Sequence, residues 1–305
     1  MLKVAIITEK LGTYDAKCTT KIAQEAVDRG HKVYETFPHD ISHAEGKLIA
    51  KARLYTGAEA PQDEERIDLE KMDVIHFRPN PPVDMAYLST LYLLNQISDK
   101  VLIINNPEAI IKLPEKIFPL NFPKFTPKTL ITRDINEIRQ FLEKHKEIII
   151  KPLYEYGGNG IIKVKLGENE GLFGNIQNQL AESKMPLVVQ EFLPNVVKGD
   201  KRILFVNGEI VGAYSRIPPK GKYIANLAQG GSHQKTTLTS REKEFAKILG
   251  PILRENNIYI CGIDVIDNKI TEINITSPGG FSNIEELYGE KPQIKLWDII
   301  EKKLS

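Results

Sequence analysis

At 305 residues, the chain has room for two or three compact units and a substantial core, since domains run to roughly 100–200 residues. Its 41% hydrophobic and 27% charged residues, with 21 Gly and 18 Pro, exclude a disordered or collagen-like polymer. The 41 Lys plus Arg against 40 Asp plus Glu leave a formal charge of +1, so no molecule-wide field attracts a polyanion and nucleic acid is not the expected partner.

The start, MLKVAIITEKLG, has too short an apolar run and no small-residue cleavage signature, and no later stretch approaches the ~20 apolar residues of a membrane span. A cytoplasmic protein without membrane contact is expected. Cys18 and Cys261 are far apart and lack any CxxC or Cys/His cluster, which reads as two reduced structural thiols.

In chain order, Val4 to Thr8 is strand-like, a helix follows through Ile22, Ala26 and Val27 to Gly30, and Val33 to Thr36 is strand again. That alternation is the grammar of a βαβ unit. Val74 to Phe77, a helix over Met85 to Gln96, and Val101 to Ile104 continue it, predicting a small parallel sheet over residues 1–112. No GxGxxG is present, so a dinucleotide fingerprint is not expected. The signals then change to strand (Lys128 to Ile131), helix (Asp134 to Lys144), strand (Glu147 to Lys151), a glycine loop, and strands at Ile161 to Val164 and Leu187 to Glu191 around a further helix. Strands at Arg202 to Val206 and Ile210 to Ser215 begin a third region, followed by the longest expected loop, Ile217 to Lys235. A loop of that length in a compact domain suits a lid or binding segment. A helix over Arg241 to Asn256, two close strands and a last helix ending near Leu304 complete the chain, with Trp297 open to a role in core or contact. The fold class expected is α/β and α+β, with three lobes over 1–115, 116–194 and 195–305.

The strongest local signal is Glu147-Ile-Ile-Ile-Lys151-Pro152 followed by Tyr156-Gly157-Gly158-Asn159-Gly160. A lysine at the end of a buried strand, beside backbone that can approach phosphate oxygens, makes a polyphosphate cradle. The alternative is a glycine-rich hairpin with a solvated lysine. It is not a Walker A loop, because GxxxxGK[ST] is missing and a strand follows. The second signal runs from Gly262 to Asn274, where alternation puts Glu272 and Asn274 on one face. A two-residue turn at Asp267-Asn268 turns Asp264 away from Glu272, and a three-residue loop sets the two directly opposite. Bringing the acids together therefore calls for the odd loop. Given that, two carboxylates and an amide carbonyl form the hard oxygen set that suits Mg²⁺ carried on nucleotide phosphates; otherwise the acids face water.

Gln190, Glu191, Phe192 and Leu193, then Asp200, offer backbone groups and apolar walls to a purine and a carboxylate to a ribose. Lys116, Arg202 and Arg216 are cations able to neutralise a transferring phosphate. His39 and His43 stand four apart, a spacing that could bind zinc on a helix, but no third ligand is evident. No GxSxG signature is present.

Taken together, the ordered segments Phe77-Arg78, Pro81-Pro82 with Asp84, Asn106-Pro107, Pro114-Glu115-Lys116, Ile150-Lys151-Pro152, Gly199-Asp200-Lys201-Arg202, Arg216-Ile217-Pro218, Asn226-Leu227-Ala228, Gly262-Ile263-Asp264 and Thr271 to Pro278 resemble the ATP-grasp ligases, and among them the prokaryotic glutathione synthetases. The resemblance covers nearly the whole chain. It implies an ATP-grasp fold preceded by an N-terminal parallel-sheet domain, ATP between the central and C-terminal lobes, and the acid acceptor between the outer two. It further implies Lys116 and Lys151 on the ATP phosphates, Gly157, Gly158 and Gly160 as the glycine loop, Gln190, Glu191 and Leu193 around adenine, and Asp200 on the ribose. Asp264, Glu272 and Asn274 become ligands of Mg2+, with Mn2+ a second option, and Arg202 and Arg216 the catalytic cations. Lys220, Asn226 and Ser277 fall to the acceptor-binding region.

The implied activity joins γ-glutamylcysteine to glycine, with ATP as co-substrate and ADP and phosphate released through an acyl phosphate. Phosphoryl transfer depends on positioning and charge neutralisation, in keeping with the lack of a nucleophilic Ser or Cys. A ligase for another γ-glutamyl or peptide acid, and an inactive nucleotide-binding regulatory subunit, are the alternatives. The partners implied are small molecules, with a homo-oligomer possible. The chain departs from the family's wording at Ile224 and Ser232, where bacterial members carry arginines, and at Gly279-Gly280, where they carry a threonine and a basic residue. Lys220 and Lys222 can supply charge there, without the bidentate fork of arginine.

Overall fold

The structure, a computed structural model, describes residues 1–13, 16–57, 63–168, 171–222 and 230–305. Lys3–Ile7 (β1) is buried beyond its first residue, helix Lys17–Asp28 (α1) turns Ile22, Ala23 and Ala26 inward, and Lys32–Thr36 (β2) lies parallel to β1. Three strands not expected from the sequence follow: Ile41–Ala44 (β3), Lys47–Tyr55 (β4) and Glu64–Asp68 (β5). Val74–Phe77 (β6), helix Met85–Asn95 (α2) and Leu102–Ile104 (β7) then complete the parallel part.

The sheet order is β3-β4-β2-β1-β6-β7, with β5 on β4. The expected parallel core is therefore present, but the sheet is mixed, because β4 joins β2 antiparallel and brings β3 and β5 with it. In β4 the inward positions include Ala50 and Ala52, small residues with little strand preference. His39 lies in the short 3₁₀ turn Pro38–Asp40 and His43 on β3, so the helical spacing that could have paired them does not exist. Among the described residues no three His, Cys, Asp or Glu side chains are grouped to hold a metal, and no helix is long and apolar enough to cross a membrane.

A short helix, Pro107–Lys112 (α3), leads to the central region, capped by Asn106, whose side chain accepts from the Ala109 amide. There Thr129–Thr132 (β8), helix Ile135–His145 (α4), Glu147–Pro152 (β9), Ile162–Lys165 (β10), helix Leu172–Ser183 (α5) and Leu187–Glu191 (β11) build an antiparallel sheet ordered β10-β9-β11-β8. Ile148, Ile150 and Val189 pack beneath it on Ile138, Phe173 and Ile176 in a core of its own.

Asp200–Val206 (β12), Glu209–Ile217 (β13), Ser232–Lys235 (β14), helix Ser240–Glu255 (α6), Ile260–Ile266 (β15) and Lys269–Asn274 (β16) form the third sheet, ordered β14-β13-β12-β15-β16. Thr239 and Glu242 close the start of α6 as a reciprocal capping box. The long loop expected over Ile217 to Lys235 contains β14 and includes residues 223–229, so Ile224 and Asn226 lie outside the described residues. Helices Phe281–Tyr288 (α7) and Pro292–Leu304 (α8) end the chain.

The first and third regions share one core. Val4, Ile6 and Ile22 pack with Leu204, Tyr259 and Trp297. Trp297 is fully buried and its indole N–H donates to the Ile22 carbonyl at 2.9 Å, so it is a core residue. Asn105 completes the junction: its amide donates to the carbonyls of Ile260 and Ile275, both at 2.7 Å, and its oxygen accepts from the amides of Tyr259 and Ile260. The outer regions thus form one block, and the central sheet with its separate core stands against it.

His76 on β6 is buried beside Trp297, their ring centroids 5.4 Å apart, and neither ring nitrogen has a hydrogen-bond partner among the described residues. Burial, with Arg78 adding to it, pushes its pKa down to about 3. An unfolded histidine titrates near ~6.5, so between these values the unfolded chain binds the extra proton. His76's contribution to stability is full above pH ~6.5 and falls by about 1.4 kcal/mol per pH unit as acid is added, until pH reaches about 3. Denaturant unfolding from pH 7 to 4.5 should show this slope, and His76→Leu should remove it.

Candidate active site

A cleft with about 820 Å³ of open space lies between the central sheet and the third sheet. Its walls come from β9, the glycine loop, β11 and the segment after it on one side, and from β12, β15 and β16 on the other. Ile149 and Ile161, with Phe192, Leu193, Val196 and Ile266, give it an apolar end. Lys116, Lys151, Asp264 and Glu272 line its charged part.

Lys116 is buried, and its ammonium donates to the carbonyls of Glu155 and Leu153, the latter at 3.3 Å. Lys151 sits at the end of β9, buried, with Nζ 3.6 Å from Glu272 Oε1. Burial lowers the Lys151 pKa, and Lys116 adds to this while Glu272 opposes it. Two close ammonium groups in a sheltered cleft form a site for a polyanion such as a nucleotide phosphate chain. Gly157, Gly158 and Asn159 border the cleft from the loop after β9. Gly160 does not. Its φ of +69° and the 2.7 Å that would separate a Cβ from Pro152 Cγ give it a turn-making role behind the loop.

At the apolar end, Gln190 is buried with its amide donating to Thr129 Oγ1 at 3.2 Å. Glu191 accepts from the Lys128 amide and pairs with Lys269 at 2.5 Å. Its carboxylate is thus committed to the wall, and what it offers the cleft is backbone. Asp200 borders the cleft as expected, with both carboxylate oxygens engaged by Arg216, at 2.5 and 2.7 Å.

The acidic side corrects the expectation about the hairpin. The turn has two residues, Asp267 and Asn268, both at positive φ, and pairs Ile266 with Lys269, the arrangement that by itself turns Asp264 away. A register shift between Asp264 and Val265 leaves Thr271 as an extra residue and restores Asp264 opposite Glu272, with Gly262 opposite Asn274. The β-bulge does what an odd loop would have done. Thr271 holds it, its hydroxyl donating to the Asp264 carbonyl at 3.2 Å. In the strand it shows as two consecutive buried residues, Ile270 and Thr271, where alternation asks for one.

Asp264, Glu272 and Asn274 therefore share one face, with Asn274 Nδ2 3.4 Å from Asp264 Oδ2. Two carboxylates and an amide carbonyl are the oxygen set a hard divalent cation takes, so these residues fit the metal the family implies. Asn274 does not border the cleft; it stands behind Asp264.

Arg202 and Arg216 likewise do not line the cleft. Arg202 forks onto Asp264 at 2.5 and 3.1 Å, and Arg216 reaches Asp264 at 3.1 Å while holding Asp200. Burial works against the charged form of Asp264, yet the two guanidinium groups hold its carboxyl well below the usual carboxylate range. Burial raises the Asp200 pKa, against Arg216. The arginines are thus reached through the acids, as charges that set their state.

Of the acceptor residues, Lys220 and Lys222 are exposed, Ser277 is half-buried and donates to the Arg78 carbonyl at 2.9 Å, and Asn226 lies outside the described residues. Ser232 begins β14 and is exposed. Gly280 precedes α7 with φ +129°, where a Cβ would come within 2.9 Å of the Tyr214 hydroxyl, so packing requires glycine there. Glu115 is a residue whose role the sequence did not expose. Its Oε1 accepts from the amides of Ile275 and Thr276 and the Thr276 hydroxyl, which anchors the exit of β16 beside Lys116.

Residues 2–110 match the family described as the prokaryotic glutathione synthetase N-terminal domain, and residues 115–289 match its ATP-grasp domain. A glutathione synthetase of Bradyrhizobium diazoefficiens is 38% identical over 311 residues, spanning 99% of this chain and 98% of its own. One from Agrobacterium fabrum is 40% identical over 292 residues, spanning 93% and 91%. A solved D-cycloserine synthetase shares the fold at a TM-score of 0.72 and 12% identity, over 99% of this chain and 100% of its own. With the matched domains covering nearly all of it, the chain belongs to the prokaryotic glutathione synthetase family and has the ATP-grasp fold of an ATP-dependent ligase.

Proposed function

We propose that the protein joins γ-glutamylcysteine to glycine at the expense of ATP, in the cytoplasm, with residues 1–115 as the substrate domain and 116–194 and 195–305 as the two ATP-grasp lobes. The observation that carries the reading is the convergence of Lys116, Lys151, Asp264 and Glu272 on one cleft from four separate segments. A carboxylate is a poor electrophile. Its oxygen attacks the γ-phosphorus of ATP, the bond to ADP breaks, and the acyl phosphate forms. The amine nitrogen then attacks the acyl carbon, phosphate leaves and the nitrogen loses a proton. Lys116 and Lys151 bind and orient the phosphate chain, and the apolar end receives the base against the backbone of Glu191 and Leu193. Asp200, held by Arg216, faces the ribose. Asp264, Glu272 and Asn274 would hold Mg²⁺, which when bound disperses phosphate charge. Arg202 and Arg216, behind the acids, keep Asp264 ionised.

The names of the full-length relatives support the acceptor pair. Gly279 favours a second reading, a bulkier peptide acid, because a Cβ built there meets nothing within 4 Å and its carbonyl lies 3.5 Å from Arg202 Nη1. The test is ADP release with ATP, Mg²⁺ and glycine, with and without γ-glutamylcysteine, and the product mass. Release that depends on γ-glutamylcysteine, with the mass of glutathione, is the expected outcome. Release only with a different acid moves the assignment to the second reading, and nucleotide binding without turnover on any acid overturns both.

For Lys151→Ala, loss of a charge-assisted contact worth roughly 1.5–3 kcal/mol should weaken ATP binding about ten- to a hundredfold and slow turnover as well. Nucleotide titration and steady-state kinetics read the two effects separately.

A further inference from the structure

A second cavity, with about 610 Å³ of open space, lies on the other side of Lys116. It sits where α2, α3 with the segment after it, and the 153–155 segment of the central lobe meet, and the Val83 amide donating to the Tyr154 carbonyl at 3.3 Å ties two of its walls together. The size is that of a small-molecule site. Leu88, Tyr92, Ile111 and Leu153 give it apolar walls, and Tyr92 is 49% exposed at its rim. Its polar end holds Glu115, with Lys116 and Thr276 beside it. Among the described residues, the three hydrogen bonds to the Glu115 carboxylate fall on Oε1, which leaves Oε2 for an occupant. Burial raises the Glu115 pKa, so a cation beside it recovers an electrostatic cost already present in the fold.

We propose that this cavity is a ligand site distinct from the ATP cleft, taking a small primary amine with an aromatic body, and that its occupancy weakens ATP binding. The ring packs between Leu88, Tyr92 and Ile111, and the ammonium meets Glu115. Charge complementarity and the apolar walls select this class over the zwitterion glycine, which has no side chain to bury. The coupling runs through Lys116, which lines both cavities and whose ammonium is held by the carbonyls of Leu153 and Glu155. An occupant packed on Leu153 and Glu155 stabilises those carbonyls where they hold Lys116. The lysine is then withheld from the phosphate chain. Linkage requires ATP to weaken amine binding by the same factor. The coupling rests on Lys116 as an ATP ligand; the binding itself does not.

The probe is 2-phenylethylamine, followed by calorimetry on the full chain with and without ATP, beside 2-phenylethanol as the uncharged control. Expected are saturable amine binding, at least tenfold weaker binding of the alcohol, and a mutual weakening of amine and ATP by threefold or more. Ile111→Trp fills the cavity and should abolish amine binding while turnover without amine is unchanged. Tyr92→Ala, at the exposed rim, should weaken the amine severalfold and covers the case in which the larger residue prevents folding. No saturable binding, or binding indifferent to both substitutions, overturns the site. Amine binding that leaves ATP affinity unchanged overturns the coupling. Failure of ATP itself to bind, with the amine still bound, refutes the ATP-cleft assignment and leaves this cavity a ligand site.

Discussion

Glu272→Ala should turn over about a hundredfold more slowly than the wild type while keeping its fold, a loss on the order of 3 kcal/mol of transition-state stabilisation. The side chain borders the cleft from β16, and its one ion pair among the described residues is the 3.6 Å contact with Lys151, so little structure depends on it. A second effect follows from that contact. Burial already lowers the Lys151 pKa and Glu272 works against it. Without Glu272 the ammonium gives up its proton more readily. With Lys151 in its proposed role on the ATP phosphates, which needs the charged form, affinity in the variant should begin to fall at lower pH than in the wild type as pH rises. Nucleotide titrations across the alkaline range read this separately from turnover at pH 7, where near wild-type rates would remove Glu272 from the metal set.

Asp264→Asn carries the other large expected effect, and it falls on stability and activity together. The carboxylate lies between two buried guanidinium groups, Arg202 at 2.5 Å and Arg216 at 3.1 Å. The amide keeps the volume and removes the charge, leaving the arginines with Asp200 as their one remaining acid among the described residues. Breaking a buried pair in this way costs about 3–5 kcal/mol. Because the folded carboxyl is held below the usual range, its contribution is full above the ordinary aspartate value of ~3.9 and is lost only as pH falls through the lower folded value. The stability gap between wild type and variant should therefore stay constant from pH 7 to about 5, as measured by urea unfolding. Turnover should drop at least as far as in Glu272→Ala, because the same substitution removes an oxygen of the proposed metal set and the counter-charge of both arginines. A variant as stable and active as the wild type would show that the ion-pair cluster is a bystander.

Much of the central region was legible in the chain because its signals are local. Leu187 to Glu191 as a strand, a helix over Asp134 to Lys144, and Lys151 ahead of three glycines each depend on neighbours within a few residues, and each is found within a residue of where periodicity puts it. The alternation of apolar runs and helices likewise announced the parallel core of the first sheet. Strands β3 to β5 were not legible, since their inward positions are filled partly by alanines that acquire meaning only once β2 offers an edge. Short helix α3 and helix α7, each under three turns, carry too little periodicity to stand out.

The sequence by itself determined the residue types of the site, two lysines, two acids and an asparagine at fixed spacings, and the glycines that let backbone approach them. The tertiary structure alone decided which of them meet. Asp264 faces Glu272 because a bulge at Thr271, held by one hydroxyl, reverses the consequence of a two-residue turn. Arg202 and Arg216 stand behind the acids and out of the cleft wall because strand pairing sets Arg202 beside Asp264 and Asp200 beside Arg216. Trp297 is core because the first and last regions share one apolar cluster. Spacing along a strand fixes the face a side chain takes, but the partner across the sheet depends on register, which is set by contacts many residues away.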